Sequence, residues 1–204
     1  MGDPGPGSVV GMRHLARLLL ALLLLVGALA LAAPAHAEDN QPSSWQITEM
    51  DITADLQRDG TAHVTLDMDF DFATDPGHGP FIVLPLRQEV PDDPDVWRML
   101  DVDVESVTSA TGANTTLRFE QESGNLLVRV GRDGTRFTGV QNYRITYSIR
   151  GLIAPDHPVS GLDELNWNAV GRGWQLPIRQ ATVQVRGPAT ISDARCWTGS
   201  DFQT

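Results

Sequence analysis

From Ala62 to Phe72 every second residue is apolar. Ala62, Val64, Leu66, Met68, Phe70 and Phe72 fall on one side, and His63, Thr65, Asp67, Asp69 and Asp71 on the other. A period of two over eleven residues fits a strand with one buried and one wet face and does not fit a helix. The preceding "MDITADL" has the same period, with Met50, Ile52, Ala54 and Leu56 opposed to Asp51, Thr53 and Asp55. "QRDGT" joins the two runs, and its Asp59-Gly60 pair is a strong hairpin signal. The segment from Trp45 to Phe72 therefore predicts an antiparallel hairpin.

The rest of the chain repeats this grammar. "FIVLPLR" reads as a short edge segment, since Pro85 cannot donate to a ladder. "EVPDDPDVW" reads as a polar connection. "LDVDVESVTSA" alternates imperfectly through Val102, Val104 and Val107. "TTLRFEQESGNLLVRVG" predicts a second hairpin turning at Ser123-Gly124-Asn125. Tyr143, Ile145, Tyr147 and Ile149 share one face of a further strand, and "IRQATVQVRGP" supplies the last, stopped by Gly187-Pro188. No apolar stripe of helical period occurs after residue 38. Short strands separated by turn signals predict an all-β, antiparallel β-sandwich, immunoglobulin-like or jelly-roll-like.

The front of the chain is different. Arg13, His14 and Arg17 precede an apolar run from Leu18 to Leu31, and Ala35-His36-Ala37 follows. This is the pattern of a secretory signal peptide, residues 1–37, with Glu38 as the new N-terminus. Pro34 closes the run early for a membrane-spanning helix, which wants about 20 apolar residues. Residues 38–204 are then one extracytoplasmic domain, its core over 45–190. The formal charge is −11, and removing the signal takes away a net +1 and leaves −12. Such a chain does not suit nucleic acid, which needs a basic patch. Its basic residues are all arginine, a bias that fits a GC-rich genome. One cysteine, Cys196, rules out a cysteine-based zinc site on count and would need a partner beyond residue 204 to form a disulfide.

The most site-like stretch is "DELNWNAVGRGWQLPI", Asp163 to Ile178. Leu165, Trp167 and Ala169 alternate, Gly171 and Gly173 permit a sharp turn, and Trp174, Leu176 and Ile178 alternate again. The reading is a strand-turn-strand corner whose indoles plug the sandwich edge. The competing reading makes Trp167, Asn168, Arg172 and Trp174 a binding surface, with Trp197 as a further stacking platform.

Other polar groups are weaker candidates. Asp67, Asp69 and Asp71 lie spread along a strand and lack the loop that wraps a calcium ion, so a solvated acidic face is expected. His78 in "DPGHGP" has no nucleophile motif beside it. Asp163 and Glu164 are adjacent and would point apart on a strand, unlike a glycosidase pair. Asn114-Thr115-Thr116 fits a glycosylation acceptor only in a host that glycosylates. His63 and His157 carry no pattern. These residues predict no enzyme, no cofactor and no metal site.

Three segments together carry a resemblance: the Asp-Gly hairpin soon after the signal with "HGPFIVLP", then "YRITYSIRGLI", then "DELNWNAVGRGWQLPI". The chain resembles the N-terminal extracytoplasmic domain of the predicted membrane protein family called domain of unknown function 2207, over roughly residues 45–190. The resemblance implies a membrane tether in a segment missing here, so that the chain is a truncated member. It also implies an exported, membrane-associated protein; the alternative is a secreted one. The expected partner is an envelope membrane protein. The family tends to place an arginine shortly before Ile-Pro, where this chain has Ile82, which puts any role of that arginine in doubt. It has no established activity, so no catalytic residue is carried across.

Overall fold

The structure is a computed structural model, and it describes residues 42, 44–90, 93–157 and 160–197. The expected signal peptide, residues 1–37, lies outside the described residues. Twelve strands are described: β1 (Gln46–Leu56), β2 (Ala62–Asp71), β3 (Phe81–Pro85), β4 (Arg87–Val90), β5 (Asp93–Met99), β6 (Asp101–Thr108), β7 (Leu117–Glu122), β8 (Asn125–Val130), β9 (Val140–Arg150), β10 (Ile153–Ala154), β11 (Glu164–Leu165) and β12 (Ala181–Arg186). They form a five-stranded sheet in the order β12-β1-β2-β9-β6, a three-stranded sheet β3-β8-β7, and two small pairs, β4-β5 and β10-β11. The fold is an all-β sandwich and not a closed barrel.

The alternating runs become the walls of the core. Met50, Ile52 and Ala54 of β1, Ala62 to Phe70 at every second position of β2, and Tyr143, Ile145, Tyr147 and Ile149 of β9 are all buried. Ile82, Leu84, Leu126, Val128 and Val130 of the smaller sheet join the same core. Burying a large aliphatic or aromatic side chain is worth about 1.5–3 kcal/mol, so these paired faces dominate stability. Two irregularities have identifiable causes. The β1–β2 register shifts between Ile47 and Glu49, which lets Ile47 and Met50, three apart, both point inward. The imperfect valine alternation of β6 has the same origin: its register with β9 shifts between Val104 and Ser106, and Val107 returns to the inner face.

Both expected hairpin turns form. Gly60 has φ 81°. The Asp59 carboxylate accepts the Thr61 N–H at 3.0 Å, which holds that carboxyl below its ordinary pKa. Ser123 and Gly124, at φ 52° and 80°, take the two left-handed positions of a two-residue turn between β7 and β8. Pro85 ends β3, an edge strand, as its missing donor requires.

Two expectations need correction. The sandwich is not wholly antiparallel: β12 runs parallel to β1, with Met50 beside Ala181 through Asp55 beside Arg186. Alternation fixes which face a side chain takes and says nothing of strand direction. The "EVPDDPDVW" connection is instead part of the hairpin β4–β5, with Arg87 opposite Met99 and Glu89 opposite Trp97. Its prolines and aspartates signal a loop, yet Asp93 already pairs with Val90 and β5 runs on through Pro94 and Asp95, with a register shift between Glu89 and Val90. Among the described residues no helix is long and apolar enough to cross a membrane.

Candidate functional site

The Asp163–Ile178 segment is strand for two residues, Glu164 and Leu165, which pair with β10. The expected strand through Trp167 and Ala169 does not form; bends and irregular backbone carry the chain from Asn166 to β12. Trp167 and Trp174 are seven apart and would take opposite faces of a strand. A turn brings both indoles against the core. The Asn168 side-chain oxygen accepts the Gly171 N–H at 3.1 Å, and the Trp174 indole N–H donates to the Val170 carbonyl at 2.8 Å. Gly171 and Gly173, at φ 83° and 92°, make that turn possible. A β-carbon on Gly173 would stand 3.1 Å from a Val83 methyl, so the segment lies close over β3.

Beneath it a void of about 20 Å³ is lined by Leu66, Ile82, Leu84, Tyr147, Trp167 and Trp174, among others. That is room for about one water and no organic ligand. Of the four residues read as a binding surface, Trp167 and Trp174 are half-buried, while Asn168 and Arg172 are exposed. The third indole, Trp197, is exposed on the irregular chain after β12.

The remaining candidates are dispersed. His78 Nδ1 sits 2.8 Å from the Thr135 carbonyl in a loop that crosses the start of β3. There the chain passes itself at contact distance: a β-carbon on Gly79 would meet the Val130 carbonyl oxygen at 2.1 Å, and one on Gly131 would meet the His78 carbonyl oxygen at 2.1 Å. Gly77 packs under Phe72 and Trp45 in the same way. This crossing is the physical content of "HGPFIVLP", and sequence patterns gave no sign of its partner Gly131. Asp163 accepts the Asp156 N–H at 3.2 Å, and Glu164 lies 3.5 Å from His157. The Asn114 side chain accepts the Thr116 N–H at 3.0 Å. Cys196 is exposed, with no disulfide among the described residues.

The outer face of the large sheet is strongly acidic. Glu49 stands opposite Asp69, and Asp51 opposite Asp67, pairings of like charge that cost stability. β9 relieves them. Asn142 donates to Asp67 and Asp69 at 2.9 and 3.0 Å, and the Arg144 guanidinium grips Asp67. Among the described residues no three His, Cys, Asp or Glu converge to hold a metal ion.

A family model described as "Predicted membrane protein (DUF2207) N-terminal domain" matches residues 46–204. The chain belongs to this family. Within the DUF2207 domain, Gly79 of "HGPFIVLP" serves a close backbone approach, and Gly171 and Gly173 serve a turn at positive φ. The search of curated proteins gives no match. Among solved structures, the chain is similar to an M1 zinc metallopeptidase from Deinococcus radiodurans at 16% identity and TM-score 0.37, over 70% of this chain and 32% of that one. It is similar to yeast LTA4 hydrolase at 10% identity and TM-score 0.36, over 57% of this chain and 17% of that one. A cohesin from Archaeoglobus fulgidus matches at 11% identity and TM-score 0.29, over 68% and 92%. Likenesses this low carry no argument about activity.

Proposed function

We propose that this DUF2207 domain is a non-enzymatic, extracytoplasmic module of a membrane-associated envelope protein, working through protein–protein contacts. The observation that carries the reading is the family match over residues 46–204 to the N-terminal domain of predicted membrane proteins. The signal-like start, residues 1–37, supplies the direction of export. The engagement of His78, Asp163 and Trp174 in backbone contacts supports a structural use of the groups that most resembled chemistry.

The test is fractionation of the native host with an antibody raised to residues 38–204, with external protease added to intact cells. The expected result is a membrane-bound band that external protease removes. A protected cytoplasmic band overturns the reading. A band of the 38–204 mass free in the medium overturns the tether and favours the second reading, a secreted glycan-binding module. For that reading the specific support is that Asn168 and Arg172 stand exposed beside the two indoles. It requires tryptophan fluorescence to shift when cell-wall polysaccharide is added, and a flat response across a broad panel ends it.

A further inference from the structure

The two edges of the large sheet are built differently. β6, at one edge, carries a register break between Val104 and Ser106 and presents Asp101, Asp103 and Glu105. Breaks and charges are how edge strands avoid pairing with other chains. β12, at the other edge, has neither device over its central residues. Its register with β1 is unbroken for six pairs, and its one charge, Arg186, is turned back to Asp55 and Gln184 at 3.4 and 2.6 Å. Ala181, Val183 and Val185 stand beside Met50, Ile52 and Ala54 and so share the core-side face, but Val183 is 44% exposed. Among the described residues no strand lies beyond β12.

The backbone says which groups are on offer. The Gln180 carbonyl accepts the Met50 N–H at 3.0 Å, so Gln180 bonds toward β1. Alternate residues of a parallel strand bond to opposite sides. Thr182 and Gln184 therefore bond to β1, while Ala181, Val183 and Val185 direct N–H and C=O to the open edge.

The geometry points to this edge as a self-association surface: β12 pairs antiparallel with β12 of a second copy, about a two-fold axis at Val183. Self-complementarity selects the second copy. The axis sets Val183 against its own counterpart and Ala181 against Val185, all of them core-facing and all with outward backbone groups. It also sets Thr182 against Gln184 on the wet face and Arg186 against Gln180, so no like charges meet. Roughly six inter-chain backbone bonds follow from the antiparallel pattern. This goes beyond the proposed function, which concerns other envelope proteins, and it does not depend on where the chain resides.

The test uses the full-length chain with Cys196→Ser in the native host. Thr182→Cys and Gln184→Cys chains are expressed singly and together, then mildly oxidised. In the stated register Thr182 and the Gln184 position of the second copy form a non-hydrogen-bonded pair with Cα atoms about 4.5 Å apart, within disulfide reach. Either substitution alone leaves partners on the diagonal, about 7–8 Å away. The expected result is a homodimer band at least about tenfold stronger from co-expression than from either chain alone. Adding Val183→Pro should abolish it while protease resistance of the domain is kept, because that N–H faces the open edge and not β1. Equal cross-linking of all three samples overturns the proposal, as does an adduct of another mass or a protease-resistant chain with no adduct.

Discussion

The hairpins β1–β2 and β4–β5 share a ladder type and little else. In β1–β2 one face is closed by the core at nearly every second residue, and at its end Trp45 meets Phe70 and Phe72 edge-on, with centroids 5.8 and 5.0 Å away, while the two phenyl rings lie tilted at 4.5 Å. In β4–β5 no side chain is fully buried among those described; Trp97 and Met99 are exposed. That hairpin is held by a few specific contacts: the Arg87 guanidinium 4.2 Å over the Trp97 ring, Gln88 donating to the Asn166 carbonyl at 2.9 Å, and Arg98 donating to the Leu152 carbonyl at 3.4 Å. A hairpin stabilised by burial writes its period into the sequence. One stabilised by ladder bonds and scattered polar contacts does not need to.

That contrast can be broken from either side. Phe70→Ala should cost the most, about 3–5 kcal/mol as a large core truncation, and lower the urea midpoint of the whole domain. Trp174→Ala should cost less, about 2–3 kcal/mol, since its ring is only half-buried against the core. Unchanged melting would show that the Asp163–Ile178 segment does not plug the sandwich. Trp97→Ala should cost about 1 kcal/mol, the scale of an exposed cation–π pair plus partial packing. Amide exchange should then quicken in Arg87–Met99 and stay unchanged in β2; a global loss would mean that β4–β5 belongs to the same cooperative unit.

The smallest effect at neutral pH sharpens the picture of the buried face. The chain has two tyrosines, Tyr143 and Tyr147, and both are buried on β9. Burial pushes Tyr143 up to about 12 and Tyr147 also upward. A folded pKa above the unfolded value of about 10 means stability that is full below pH 10 and lost as pH rises toward 12. Absorbance near 295 nm should therefore show no phenolate at pH 10, then a rise coincident with unfolding. A separate titration near 10 would place a tyrosine in contact with water.

Legibility followed the same physics. The faces of β1, β2 and β9 are readable because each has one dry side. The turn at Ser123-Gly124 was readable because two successive left-handed residues demand that chemistry. β4–β5 was missed because Pro91, Pro94 and three aspartates read as a breaker. The parallel docking of β12 on β1 was hidden because residue order carries no strand direction. Around the candidate site, Trp167 and Trp174 were correctly placed against the core, but through a turn in place of the two strands expected. The partnership of Gly79 with Gly131, fifty-two positions apart, leaves no local trace.

That crossing also bears on how such a chain can drift over time. A side chain at Gly79 strikes the Val130 carbonyl, and one at Gly131 strikes the His78 carbonyl. The two obstacles are separate pieces of backbone, so neither change makes room for the other. A lineage cannot reach a two-residue compromise by small steps. Any descendant that keeps this crossing must keep both glycines, and one that loses either must reroute the loop before β3.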